Sequence, residues 1–321
     1  MKRAIVIFGI LVSVTVVSAD WVYEGKWGSS GTGDGQFNDP NGIAEASGGN
    51  VYVVDTMNHR VQYFTATGSY LGKWGSYGLG NGQFTLPGAI DVAPGGYVYV
   101  ADTVNSRIQY FTATGSYLGK WGSYGSGNGQ FRDPNGVAVA PAGGNVTVAD
   151  TGNHRVQYFT ATGSFLGAWG SSGSGNGQFN WPWDVDAAPG GYVYGADTYN
   201  HRIQIFTGTG SFFGKFGSFG YGNGEFNYPR GVAVALSGNV FVADTSNHRV
   251  QYFTATGSYL GRWGSLGSGN GQFNNPYGIC LNAAGSRVYV ADVLNDRIQY
   301  FMWENTALAP ASLGRVKVLF K

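Results

Sequence analysis

The sequence predicts an all-β fold, a six-bladed β-propeller of four-stranded antiparallel blades whose ring is closed by the N-terminal strand. Three observations carry this. A Gly-Gln/Glu-Phe anchor recurs with Phe at 37, 84, 131, 179, 226 and 273, in steps of 47, 47, 48, 47 and 47 residues. Each of the first five units holds four short strand-like runs, and none of the runs has helical period or length. The last unit lacks its fourth run, and a matching run stands at the opposite end of the chain.

A fixed period of this size marks a solenoid or a closed propeller. In the third copy the runs are Gly136 to Ala140, Asn145 to Ala149, Arg155 to Thr160 and Ser164 to Trp169, rich in Val, Tyr, Phe and Ala. They are called strands a to d here. Turn clusters separate them: Ala-Pro-Ala-Gly-Gly, Asp-Thr-Gly-Asn-His and Thr-Ala-Thr-Gly. One such sheet cannot bury both faces, whereas a radial array packs every face on its neighbour and leaves only short edges. The period-matched aromatics of strand d, Trp27, Trp74, Trp121, Trp169, Phe216 and Trp263, read as inter-sheet packing.

Closure follows from the ends. The sixth unit supplies a, b and c, with c at Arg297 to Phe301. Trp21 to Gly28 matches Ser69 to Gly75, so the N-terminal segment is expected to be strand d of the last blade. An open solenoid would instead need polar caps at both ends.

The expected domains are a signal peptide at 1–19, the propeller at 20–303 and a C-terminal tail at 304–321. Met1-Lys2-Arg3, the apolar run Ala4 to Val17 and the small residues Val17-Ser18-Ala19 have the order of a cleaved export signal. The run is short for a membrane span. A secreted or extracytoplasmic location, in the periplasm or at the cell surface, and a monomer are expected. In the tail, Val316, Val318 and Phe320 alternate with Arg315, Lys317 and Leu319, a pattern open to an edge strand or an attachment signal.

Removing Lys2 and Arg3 from 19 Lys+Arg leaves 17 against 18 Asp+Glu. So balanced a charge offers nucleic acid no footprint. The single cysteine, Cys280, excludes a disulfide framework and reads as a small buried thiol.

The b-to-c turns carry a signature: Asp55-Thr-Met-Asn-His-Arg60, Asp102-Thr-Val-Asn-Ser-Arg107, Asp150-Thr-Gly-Asn-His-Arg155, Asp197-Thr-Tyr-Asn-His-Arg202, Asp244-Thr-Ser-Asn-His-Arg249 and Asp292-Val-Leu-Asn-Asp-Arg297. With the upstream Gly-x-Phe-x-x-Pro-x-Gly, these closely resemble the NHL repeat family over residues 21 to 301. The resemblance implies a six-bladed propeller. Physically, Asp ends strand b and Arg opens strand c, so the two meet across the hairpin, and Asn suits the turn between them. Twelve of 37 formal charges are then structural. His59, His154, His201 and His248 share one slot, which puts each in its own blade, away from the convergent ligands a metal needs.

Where units are nearly identical, function is sought in departures. The d-to-a connections and b-to-c hairpins of a propeller share one face, and its aromatic substitutions cluster in the fourth to sixth units: Trp181, Trp183, Tyr199, Tyr228, Arg230 and Tyr277. Asp184 replaces a recurrent Gly beside them. Aromatics with an Arg and an Asp on a rigid rim suit a protein, peptide or glycan ligand; alternatively they cover a neighbouring loop. Asp91 and Asp186 replace Ala in strand a and, with Asp184, are the candidate ligands for a hard cation such as calcium, or bond to backbone of the next blade. No cofactor is otherwise expected. The resulting expectation is a non-enzymatic binding scaffold. The alternatives are a channel-metal enzyme like the lyases and lactonases among six-bladed relatives, and a purely structural repeat protein. The RNA-binding and ubiquitin-ligase roles of NHL propellers conflict with the expected export, the neutral charge and the lack of zinc-binding cysteines.

Overall fold

Alternating apolar runs of five or six residues, punctuated by turn residues, fold into six separate four-stranded antiparallel sheets. A computed structural model describes residues 20–304. The expected signal peptide and all of the tail beyond Glu304 lie outside the described residues. Among those described, regular structure is strand apart from single 3₁₀ turns, and no helix is long and apolar enough to cross a membrane.

Five blades run in sequence order. The first is Pro40–Glu45, Val51–Asp55, Arg60–Phe64 and Tyr70–Trp74. The sixth departs as expected: Asp20–Trp27 pairs antiparallel with Arg297–Glu304, from Asp20 opposite Glu304 to Trp27 opposite Ile298. Strand c of this blade therefore runs on to Glu304, longer than its five-residue sequence pattern, because the N-terminal strand is long enough to pair with all of it.

Strands b and c are buried almost throughout, while strand a alternates buried positions with half-buried ones that line the channel, so the core lies between blades rather than within them. Strand d faces the outside and alternates half-buried with exposed residues. Its aromatics do bridge blades: Trp74 of the first blade meets Phe111 of the second at 5.7 Å and its own blade's Tyr52 at 6.0 Å. Further hydrogen bonds tie blade to blade. Strand-b Tyr52, Tyr99, Tyr194 and Tyr289 donate their hydroxyls to Ala113, Ala161, Ala255 and Ala66 carbonyls on the next blade. On the opposite face Thr56, Thr103, Thr151, Thr198 and Thr245 donate to the carbonyl of the next blade's strand-a proline. The innermost strands approach so closely that a Cβ on Gly42 would lie 2.7 Å from Ala89 Cα, which explains the recurrent glycine there.

Candidate functional site

The face carrying the hairpins and d-to-a loops is organised by the signature. Asp244 is fully buried and accepts from Asn227 N–H at 2.7 Å, Asn247 Nδ2 at 2.9 Å, Arg249 Nε at 2.6 Å and Gln251 Nε2 at 3.0 Å. Arg249 spends its remaining N–H groups on the Tyr221, Gly222 and Glu225 carbonyls of the preceding loop. Asp55–Arg60, Asp102–Arg107, Asp150–Arg155, Asp197–Arg202 and Asp292–Arg297 repeat the ion pair at 2.6–2.7 Å. The twelve charges expected to be structural are thus consumed, and each loop is bolted to its hairpin.

The histidines have a role the sequence reading did not assign. Each sits in left-handed backbone at φ 53–54°. Its Nδ1 accepts the N–H of the residue before the next blade's proline: His59 from Leu86, His154 from Trp181, His201 from Tyr228 and His248 from Asn275, all at 3.1 Å. Asp296 does the same for Asp39 in the sixth blade. Burial holds His201 and His248 below the usual imidazole range, as an acceptor role requires.

That pre-proline slot is itself left-handed in all six units, with φ of 47–55° at Asp39, Leu86, Asp133, Trp181, Tyr228 and Asn275. Asp and Asn tolerate this conformation, whereas Leu, Trp and Tyr do not readily. Trp181 and Tyr228 are also 39% and 36% exposed, so strained backbone displays large rings to solvent. They belong to a continuous strip. Trp181 meets Tyr199 at 6.1 Å, Tyr199 meets Tyr228 at 5.1 Å, Tyr228 meets His201 at 4.6 Å, His201 meets Phe219 at 4.9 Å, and Phe219 meets Tyr221 at 5.9 Å. Phe219 and Tyr221, both well exposed, were missed by the sequence reading. In the sequence only Tyr221 stands out, being the one aromatic in a slot otherwise held by Thr32, Leu79, Ser126, Ser174 and Ser268; the Phe219 slot holds Tyr77, Tyr124 and Leu266 elsewhere and so marks no departure.

The remaining rim candidates form a second cluster at the channel mouth. Trp183, Arg230 and Tyr277 occupy the same position of three consecutive blades, and the Arg230 guanidinium lies 4.2 Å from the ring centre of each neighbour. Burial lowers the Arg230 pKa. The channel below holds a cavity of about 230 Å³ lined by strand a of every blade.

Asp184 lies in the channel wall, under the mouth cluster. Its Oδ2 accepts from Val232 N–H at 3.1 Å. Asp91 accepts from Val92 and Val139, and Asp186 from Ala187 and Val234, all at 2.7 Å. Of the two roles open to these acids, the structure shows the bond to the next blade's backbone. They have some accessible surface, but it is channel surface, and the surrounding protein still desolvates them. Burial pushes Asp184 up to about 8, Asp91 to about 7 with help from the Asp186 charge, and Asp186 to about 6. Among the described residues no three His, Cys, Asp or Glu side chains converge as metal ligands. Glu45, also missed, lines the channel with a buried Oε2 that has no hydrogen-bond partner, and burial raises it to about 7. It is the odd residue in a slot otherwise held by Val92, Val139, Ala187, Val234 and Leu281. Cys280 packs on the core between the sixth and first blades, and burial pushes its thiol well up.

Comparison with known proteins matches the NHL repeat model to residues 37–64, 131–159, 179–206 and 226–253. The second and sixth units are those whose histidine slot holds Ser106 and Asp296. A 47-residue stretch is 43% identical to the B-box type zinc finger protein ncl-1 of Caenorhabditis elegans; it takes in 15% of this chain and only 6% of that protein. Among solved structures, a protein of unknown function from Bacteroides thetaiotaomicron superposes with a TM-score of 0.68 at 18% identity, covering 89% of this chain and 77% of that one. A streptogramin B lyase gives 0.60 at 14% identity (89% and 98% covered), and the virginiamycin B lyase of Staphylococcus aureus 0.58 at 13% (83% and 96%). At these identities the likeness is one of fold.

Proposed function

The chain belongs to the NHL repeat family, and from that premise we propose that it is a non-enzymatic binding module acting outside the cytoplasm, with a peptide, protein or glycan held on the aromatic face. The observation that carries the reading is the strip from Trp181 to Tyr221: six aromatic rings in unbroken contact, three of them on left-handed backbone, where the equivalent slots of the first blade hold the single pair His59–Tyr77. Exposed aromatics on a rigid frame supply contact area at little cost in conformational entropy. The signature charges are spent on the scaffold, so what varies on this face is the strip and the mouth. The cavity, at about 230 Å³, is below the roughly 300–1,000 Å³ of small-molecule sites, which favours a ligand lying across the rim. Export rests on the signal expected at residues 1–19.

A peptide and glycan array probed with the chain and with a Trp181→Ala, Phe219→Ala double variant tests this. Truncating two aromatic anchors is expected to weaken a hit at least about 30-fold. Binding that survives both substitutions removes the face from consideration.

The raised pKa values of Asp91, Asp184 and Asp186 favour a second reading, a channel enzyme on the plan of the lyases that share the fold. It is the weaker one, because both oxygens of Asp91 and of Asp186 already accept backbone N–H groups. Calcium or zinc retained through dialysis would reverse the order.

A further inference from the structure

We propose that the channel mouth is a carboxylate receptor: Arg230 grips an acidic side chain of a peptide whose apolar side chains lie on the aromatic strip. This rests on the reading of that face as a binding surface and adds the chemical class of its ligand.

Arg230 is a cation without a counter-ion. Every signature arginine has its aspartate at 2.6–2.7 Å and further bonds to loop carbonyls. Among the described residues Arg230 makes neither an ion pair nor a side-chain hydrogen bond, and its Nε is buried without a partner. A buried, unpaired donor on a charged group is costly unless something else completes it.

The geometry selects what completes it. Trp183 and Tyr277 flank the guanidinium with ring centres 4.2 Å from it, and the two rings meet edge to face at 6.4 Å and 71°, so they screen adjoining sides and leave its terminal N–H groups without a protein partner. Edge-on, bidentate pairing is how a guanidinium binds a carboxylate, and the two flanking rings restrict where the fork can point. The cavity beside it, about 230 Å³, has room for an acidic side chain. Tyr199 of the strip lies within electrostatic range of both Arg230 and Tyr277, so strip and mouth can engage one ligand.

Ring orientation favours a peptide over a sugar chain. Neighbouring planes in the strip are tilted by 47° (Trp181–Tyr199), 78° (Tyr199–Tyr228), 65° (Tyr228–His201) and 63° (His201–Phe219). Successive sugar rings stack on coplanar faces, whereas a corrugated aromatic surface takes up branched and aromatic side chains.

The test is a set of hexapeptides, each combining Trp, Phe or Leu with one Glu, and each paired with its Gln twin. They are titrated against the full chain, Arg230→Gln, Arg230→Lys and Trp181→Ala/Phe219→Ala, with melting curves confirming that each variant is folded. The Glu peptides are expected to bind. The Gln twin and Arg230→Gln should each weaken binding about tenfold to a hundredfold, and the two changes together no more than either alone. Arg230→Lys should restore only part, since it returns the charge without the fork. Equal binding of Glu and Gln twins, or Glu preference that survives Arg230→Gln, overturns the proposal. So does Arg230-dependent binding of oligouronates in place of peptides. If Trp181→Ala/Phe219→Ala abolishes binding while Arg230→Gln leaves it intact, the receptor fails and the binding face stands. If neither matters, the face fails too. Should Arg230→Gln not fold, the Glu/Gln comparison on the unaltered chain still decides.

Discussion

Replacing Asp244 with Asn separates a buried ion pair from a surface one of equal length. The carboxylate serves four donors, one backbone and three side-chain. Asn offers one acceptor oxygen and one amide. Turned one way the amide abuts Asn227 N–H; turned the other it abuts Asn247, Arg249 and Gln251. Arg249 keeps its three carbonyls but loses its counter-charge inside the protein. Burial raises the pKa of Asp244 in spite of these partners, so the anion is not strongly stabilised on balance, and the loss comes mainly from what the substitution leaves unpaired. Removing one partner of a buried pair costs about 3–5 kcal/mol. At about 2–4 °C per kcal/mol for a domain of this order, Tm should fall by about 6–20 °C. The control is Lys73→Gln, which breaks Lys73–Asp34, also 2.6 Å but with side chains 43% and 54% exposed. That change should leave Tm almost unmoved, because solvent and salt screen an exposed pair. Both are read by thermal unfolding followed by circular dichroism. A fall of less than about 2 °C for Asp244→Asn, or equal falls for the two variants, would refute the claim that burial decides the contribution.

Other outcomes follow from the same geometry. Asp184 has a folded pKa raised to about 8, so it contributes stability fully present below its unfolded value and lost as pH rises through about 8. Asp184→Asn should therefore stabilise by at least about 1 kcal/mol at pH 9 and change little at pH 4; urea midpoints at the two values check this. His201 and His248 have folded pKa values below the ordinary one, so their contribution is present above about pH 6.5 and lost as pH falls further. The His201→Ala/His248→Ala double variant should be destabilised at pH 7.5 and lose less than the parent chain between pH 7 and 5. Leu86→Asn, placing a residue that tolerates φ 47°, should raise stability by about 0.5–1 kcal/mol, measured as a shift in Tm.

Much of the fold was legible because a repeat states its own boundaries. The Phe spacing located the blades, and the match of Trp21–Gly28 to Ser69–Gly75 located the closing strand, since both are properties of the chain alone. The Asp–Arg pairs were legible because their partners are five residues apart on one hairpin. The histidine role was not, since Nδ1 bonds 27 residues away to the next blade. The site was half legible. Departures from the repeat picked out Trp181, Trp183, Tyr199, Tyr228, Arg230 and Tyr277, but not that they divide into an exposed strip and a mouth built around Arg230. Phe219 was not legible because Tyr77, Tyr124 and Leu266 share its slot; what sets it apart is its contact with His201 and Tyr221.

By itself the sequence determined period, blade count, strand order and the closing strand, each a pattern local to one unit or repeated at fixed distance. Only the tertiary structure decided which side chains meet. Ring closure brings position 183 beside 230 and 277, and those contacts leave Arg230 flanked by two rings and lacking a carboxylate. A contact between blades depends on the radius and twist of the whole ring, and no segment of the chain encodes those alone.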